Sequence, residues 1–217
     1  MKTLYVSYYV SNDLARQTEL DHCFLENEKS MVFDRIIVLV DPGVIFTFVH
    51  IGNTPVSIIR LGEKATYLDF FKTVNNTSTN EDINVISNSD IIFDDSLELA
   101  SKMDRAQCYA LSRWELAEDK KPNPVQVQVF GDSQDCWIFK GTIAIPKYCE
   151  FPMGKMGCDN RISHELQEIG YSVSNPSLVI KTWHLHNIEY RAYTNQERNE
   201  ETVVPPPYLT LPLTDKL

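Results

Sequence analysis

Two rhythms of apolar residues organise the first half of the chain. Residues 4–10 alternate polar and apolar positions as a strand does. The polar trio Ser11-Asn12-Asp13 then opens a helical rhythm that sets Leu14, Leu20, Cys23 and Phe24 near one face. The next run, Ile36-Ile37-Val38-Leu39-Val40, is apolar without interruption between Asp34-Arg35 and Asp41, the signature of a parallel strand covered on both faces. It ends in the turn Asp41-Pro42-Gly43. Residues 56–61 predict a third strand, 65–74 a second helix and 83–87 a fourth strand. Strands alternating with helices predict an α/β fold with a mostly parallel, Rossmann-like central sheet, helices on both faces, and ligands bound beyond the strand C-termini. Asp41 and segment 88–95 fall at that edge.

The second half predicts a smaller, mixed β region. Residues 106–114 and 136–145 read as strands around a polar excursion, 96–103 as a helix, and 159–169 as a helix stopped by Gly170. Short strands follow at 171–173 and 178–183. Pro205-Pro206-Pro207 predicts a stiff strap or linker. The expected organisation is one domain over residues 1–200, in halves 1–95 and 96–200, with 201–217 as the Pro-rich strap or linker. The chain reads as one module of a longer polypeptide.

Charge and cysteine content remove several classes of function. Twenty Lys+Arg against thirty Asp+Glu give a net charge of −10 with no basic track, so a nucleic-acid partner is not expected. The longest apolar stretch, 36–40 and then 44–51 beyond the Asp-Pro-Gly break, falls short of the roughly 20 residues of a membrane span. The N-terminus has no small-residue cleavage site, and a soluble chain is expected. Five cysteines without a C-x-x-C pair suggest neither a disulfide framework nor a structural zinc site, and fit a reducing, cytoplasmic setting.

Candidate chemistry concentrates in a few segments. Asn88-Ser89-Asp90-Ile91-Ile92-Phe93-Asp94-Asp95-Ser96 carries three acids just after a buried strand. That invites Mg²⁺ or Mn²⁺, which take one or two carboxylates and complete their shell with water and phosphate oxygens. Asp90 is the better ligand, because Asp94 and Asp95 also suit the cap of a helix starting at Ser96. Gly157-Cys158-Asp159-Asn160 puts an acid at a helix start behind a Gly-flanked loop, where Asp159 either faces a cleft or serves as N-cap. Thr182-Trp183-His184-Leu185-His186 sets two imidazoles on one face, able to complete a metal shell or to rest as hydrogen-bonded neutral histidines. Asp132, Gln134, Asp135 and Trp137 share one segment, the chemistry that holds sugar hydroxyls and stacks a sugar face; a turn leading into a strand with a core Trp accounts for it equally.

With these segments in order, residues 3–190 resemble a nucleotide-sugar-dependent glycosyltransferase of the GT-A fold. The resemblance rests on the strand running into Ser11-Asn12-Asp13, the strand ending in Asp41, Asn88-Ser89-Asp90 as a D-x-D-type motif, and Gly157-Cys158-Asp159-Asn160 ahead of Gly170-Tyr171 as the G-x-D-x segment. The chain is also similar to the amino-terminal glycosyltransferase domain of a multidomain protein of large chlorella viruses, which decorates the capsid glycoprotein. That likeness implies a UDP-sugar donor of rhamnose or glucose type, a glycan or glycoprotein acceptor, and further domains. It makes 1–95 the nucleotide-binding half and 96–200 the acceptor half.

The resemblance further implies Tyr9, Asp41, Arg60, Thr66, Tyr67 and Ser89 around the nucleotide, with an aromatic ring on uracil and an Asp accepting from its N3–H. Mn²⁺ or Mg²⁺ would sit on Asp90 with His184 or His186, and Asp132, Gln134 and Trp137 would meet the acceptor. Asn88 stands where the motif has its first acid, which leaves Asp90 as the main carboxylate. Tyr67 equally suits the core face of an amphipathic helix, and Arg60 a surface ion pair. The implied cation neutralises the departing diphosphate. In an inverting reaction Asp159, or Asp135 in reserve, deprotonates the acceptor hydroxyl; where the anomer is retained, Asp159 positions the acceptor instead. Two other functions compete: a nucleotide-sugar or carbohydrate-binding module without catalysis, favoured by Asn88, and a metal-dependent nucleotidyltransferase. The latter normally has a Gly-rich basic loop after strand one, which Ser11-Asn12-Asp13 is not.

Overall fold

The computed structural model describes residues 1–46, 52–116, 122–127, 133–185 and 203–217, the stretch 122–127 and residue 116 as backbone alone. His186 and Asp132 lie outside the described residues.

The apolar run at 36–40 forms an inner strand of the main sheet, one in from its edge. Strand β1 (Lys2–Tyr8) pairs in parallel with β2 (Arg35–Val40), and β2 with β3 (Val56–Arg60). On the other side β1 pairs in parallel with β4 (Ile83–Ser87). All residues from Ile36 to Val40 are at most 1% exposed, because the period-two alternation sends Ile36, Val38 and Val40 into one core and Ile37 and Leu39 into another. Helix α1 (Leu14–Lys29) covers the first core; α2 (Tyr67–Thr77) covers the second.

The cap of α1 is the one the polar trio predicts, whereas Thr66, expected inside the second helix and at the nucleotide, caps α2. The Asp13 carboxylate accepts from the Arg16 backbone N–H at 2.9 Å, and Thr66 and Asp69 form a reciprocal capping box at the start of α2. Leu20, Cys23 and Phe24 are buried, whereas Leu14 is 82% exposed. Six positions at about 100° each turn Leu14 well away from Leu20, so it does not share their face.

The second half departs further from expectation. A short strand β5 (Ile91–Phe93) precedes a 3-10 helix at Asp95–Lys102, capped by Asp94, whose carboxylate accepts from Ser96 N–H at 2.8 Å. The strand expected over 106–114 is two strands, β6 (Gln107–Leu111) and β7 (Trp114–Leu116), in different sheets. The break falls at Ser112, whose N–H donates to the Asn175 side chain and whose carbonyl accepts from the Thr182 hydroxyl instead of a ladder partner. Strand β8 (Pro122–Val127) pairs with β7, and β9 (Cys136–Lys140) ends at Gly141. Gly141 has φ +80, and a Cβ there would meet the Asn80 carbonyl at 2.9 Å. Helix α3 (Cys158–Glu168) follows, then β10 (Ser172–Ser174) and β11 (Thr182–His184). Most of the strand expected at 178–183 is a turn closed on the Pro176 carbonyl by Val179 and Ile180.

The main sheet has seven strands in the order β10-β6-β9-β4-β1-β2-β3, all parallel but β9. A smaller mixed sheet has the order β5-β11-β7-β8. Residues 203–217 run back over α3: Val204 N–H donates to Met156 O at 2.9 Å and Leu209 N–H to Asn160 O at 3.0 Å. Among the described residues no helix is long and apolar enough to cross a membrane.

Candidate functional site

Parallel strands that end together leave a crevice at their C-terminal edge. Here β1, β2 and β4 deliver Ser7 and Tyr9, Asp41, and Asn88-Ser89-Asp90 to one cleft of about 160 Å³, which Arg16, Lys64 and Gly154 also line. The Ser89 hydroxyl donates to the Ser7 carbonyl at 2.7 Å and ties the loop after β4 to the end of β1. Asp41 accepts from Ala65 N–H at 3.3 Å. Burial raises the Asp41 carboxyl above the usual range, against the opposing pull of that N–H and of Lys64.

Asp90 and His184, two residues expected at a cation, do meet: His184 Nε2 lies 3.3 Å from Asp90 Oδ2. Asp90 Oδ2 also accepts from the Arg16 guanidinium, a contact the sequence reading did not anticipate. Burial works against the charged carboxylate, but the hydrogen bond and charge of His184, together with Arg16, hold it well below the ordinary Asp range. On its other side His184 Nδ1 faces Glu115 Oε2 at 2.8 Å. Burial alone would strip the imidazole of its proton; the hydrogen bonds to Asp90 and Glu115 outweigh it and lift the pKa to about 9. His184 is hydrogen-bonded on both ring nitrogens, as a resting histidine is expected to be, but it bridges two carboxylates that favour its charged form.

The bridge belongs to a longer chain of alternating sign. Glu115 accepts from Arg113 Nε at 3.0 Å, and Arg113 Nη1 reaches Asp135 at 2.9 and 3.1 Å. At the other end Arg16 reaches Glu19 at 3.1 Å. Asp135, Arg113, Glu115, His184, Asp90, Arg16 and Glu19 thus follow one another with opposite charges adjacent. Such pairing is what makes buried charge tolerable.

Asp135 lies in a second, larger cleft of about 480 Å³, with Gln134, Trp137, Lys155 and Asp159. Asn88 and Gly154 line both clefts. Asn88 Nδ2 donates to Asp135 Oδ1 at 2.7 Å, so the residue that breaks the D-x-D pattern couples the two sides rather than holding a cation. Gly157, with φ +77, occupies the N-cap of α3, and Asp159 sits one residue into the helix instead of capping it. Its carboxylate accepts from the Gln134 N–H at 3.1 Å. Burial raises the Asp159 carboxyl above the usual range, with the Asp135 charge adding to it and the Asn160 and Gln134 N–H groups opposing.

Other expected residues are placed elsewhere. Tyr67 is 1% exposed, edge-on to Trp137 at 5.1 Å, with its hydroxyl on Cys158 Sγ; it is a core ring beneath the second cleft, not a platform in the first. Thr66 is the helix cap. Arg60 lies exposed at the sheet edge, donating to the Val44 carbonyl at 3.1 Å, and lines neither cleft. Trp137 is 1% exposed with its indole N–H on Ser163 at 3.3 Å, and Gln134 is 2% exposed, so both offer an acceptor only an edge. The residues missed, Arg16, Arg113 and Glu115, left one faint trace: Arg16 and Glu19 stand three apart on a helix next to the strand edge.

No protein-family model matches the chain, and no curated protein matches it in sequence. Its architecture is similar to that of GalNAc-T7 solved with UDP, GalNAc and Mn²⁺, with TM-score 0.52 over 91% of this chain at 8% identity. The chain spans 45% of that protein's length. A 4-diphosphocytidyl-2C-methyl-D-erythritol synthase aligns with TM-score 0.49 over 91% of this chain and 95% of its own, at 13% identity. The inositol-1-phosphate CTP transferase from T. maritima aligns with TM-score 0.45 over 92% of both chains, at 11% identity. At such identities the likeness defines the fold alone. The chain has a GT-A-type α/β fold.

Proposed function

We propose that the chain is a nucleotide-sugar-dependent glycosyltransferase that binds a UDP-sugar in the cleft at the strand ends and the acceptor hydroxyl in the adjoining one. The observation that carries this reading is the pair of clefts meeting at Asn88 and Gly154, with an ionised carboxylate, Asp90, on one side and a proton-seeking one, Asp159, on the other. Two carboxyl groups driven in opposite directions divide the roles of charge holder and base. Asp41 and Tyr9 are suited to the nucleoside, and Arg16 and Lys64 bring positive charge to the diphosphate. The fold it shares with GalNAc-T7, a protein solved with UDP, GalNAc and Mn²⁺, supports the donor class. The sequence resemblance suggests a hexose of glucose or rhamnose type and a glycan or glycoprotein acceptor.

A divalent ion fits these residues. Asp90 Oδ1 is buried and has no hydrogen-bond partner among the described residues, and Glu115 orients His184 toward the same carboxylate, as carboxylates orient metal-bound histidines. Asp90 and His184 would hold the ion, His184 giving up its Nε2 proton to do so, and the ion when bound would offset negative charge on the diphosphate. The chain's own residues do the rest: Asn88 holds Asp135 beside the boundary of the clefts, and Asp159 accepts the proton of the attacking hydroxyl.

Calorimetric titration with UDP, with and without Mn²⁺, tests this reading. Binding is expected to strengthen with the cation, and Asp41→Ala to weaken it about tenfold, the loss of one good polar contact. Absence of UDP binding under both conditions would overturn it.

A further inference from the structure

The C-terminal strap does more than cover α3. Its Val204 and Leu211 are 5% exposed each, yet Tyr208 between them is 43% exposed and lines the second cleft with Asp135 and Asp159. The ring is nevertheless held. Its hydroxyl donates to the Val204 carbonyl, and its edge lies on Gly157, where an added Cβ would come within 2.8 Å of the hydroxyl and 3.1 Å of Cε1. The strap itself is pinned on both sides of the ring: the Arg161 guanidinium donates to the carbonyls of Pro205 at 3.1 Å and Pro206 at 2.7 Å, and Leu209 N–H donates to Asn160. An immobilised, half-open aromatic ring loses little freedom when it is covered. With two carboxylates lining the same cleft, it matches a sugar ring, which offers an apolar C–H face and a rim of hydroxyl donors.

We propose that Tyr208 is the stacking platform for the acceptor, a specificity-determining residue supplied by the strap, and that the acceptor presents a sugar ring to it. The inference rests on reading the second cleft as the acceptor side. It assigns the stacking role to a ring outside the Gly131–Trp137 segment, whose own Trp137 is buried in the core.

Saturation-transfer NMR with a panel of methyl glycosides of glucose, galactose, mannose, xylose, rhamnose and fucose tests the platform directly, whatever reaction the chain carries out. At least one glycoside is expected to bind, with strongest transfer to its ring C–H protons. Tyr208→Ala should weaken that binding about tenfold, the worth of one aromatic stack, while Tyr208→Phe and Tyr208→Trp retain it within about threefold. UDP affinity should stay constant across the three variants, and Tyr148→Ala, an exposed tyrosine outside both clefts, should bind glycosides as wild type does. Where transfer is measurable, Tyr208→Ala should raise the acceptor KM by the same factor and leave the donor KM unchanged. Glycoside binding unaffected by Tyr208→Ala would overturn the proposal, as would no binding by the wild type or an equal loss in the Phe and Trp variants. Glycoside binding without UDP binding would uphold the platform and overturn the transferase reading instead.

Discussion

Asp90 of the first cleft and Asp159 of the second are treated in opposite ways. In the first, Asp90 is enclosed by Arg16 and His184, and its negative charge is locked in. In the second, Asp159 is held by the N–H groups of Gln134 and Asn160 and by the Ser133 side chain, all uncharged, and burial beside Asp135 makes its charge costly. Equal burial would push both upward; what separates them is the sign of the nearest neighbours. A carboxylate paired with cations keeps its charge, whereas one held by neutral donors is the better proton acceptor.

The strongest way to break this contrast is to remove the proton-accepting side. Asp159→Asn is expected to lower transfer by about 10²–10⁴-fold, the usual weight of general-base catalysis, while UDP affinity holds; steady-state kinetics and calorimetry read the two separately. The same variant should be more thermostable than wild type at pH 8, with the gap closing as the pH falls into the range where Asp159 is protonated, because the raised carboxyl pays for its ionisation only above its pKa. On the paired side, Asp90→Ala leaves Arg16 and His184 buried without their common partner and should cost about 3–5 kcal/mol of stability in urea unfolding. His184 sharpens the comparison through pH. Its folded pKa is raised to about 9, so its contribution is complete below the unfolded value of 6.5 and is lost as pH rises through about 9. The stability advantage of wild type over His184→Gln should therefore shrink across that window, and an advantage that grew instead would contradict the charged bridge. The smallest effect is expected away from both clefts: Thr66→Ala, which removes the α2 capping box, should cost about 1 kcal/mol and leave UDP binding intact.

Elements with a strong local period were legible in the sequence. The apolar run 36–40, the Asp13 cap and strand 83–87 all declare themselves within a few residues. The smaller sheet was not legible to the same degree, since its strands β5 and β11 are three residues long and are defined by partners about ninety positions away. Of the candidate site, the acids at 41, 90 and 159 could be read because turns and helix starts leave polar residues at strand ends. Arg16, Arg113 and Glu115 could not, because an ion pair between distant segments has no spacing rule. Tyr67 is open in the sequence between two readings, ligand platform and core ring, and only Trp137 and Phe151 packed against it decide for the core.

Asn88 and Gly154 form a common sill between the compartments, and neither residue belongs to a helix or strand. A bisubstrate compound joining a uridine group to a glycoside could therefore be bridged by a short tether. Its second half would then bind at the effective molarity the tether sets, in the millimolar range for a short flexible one.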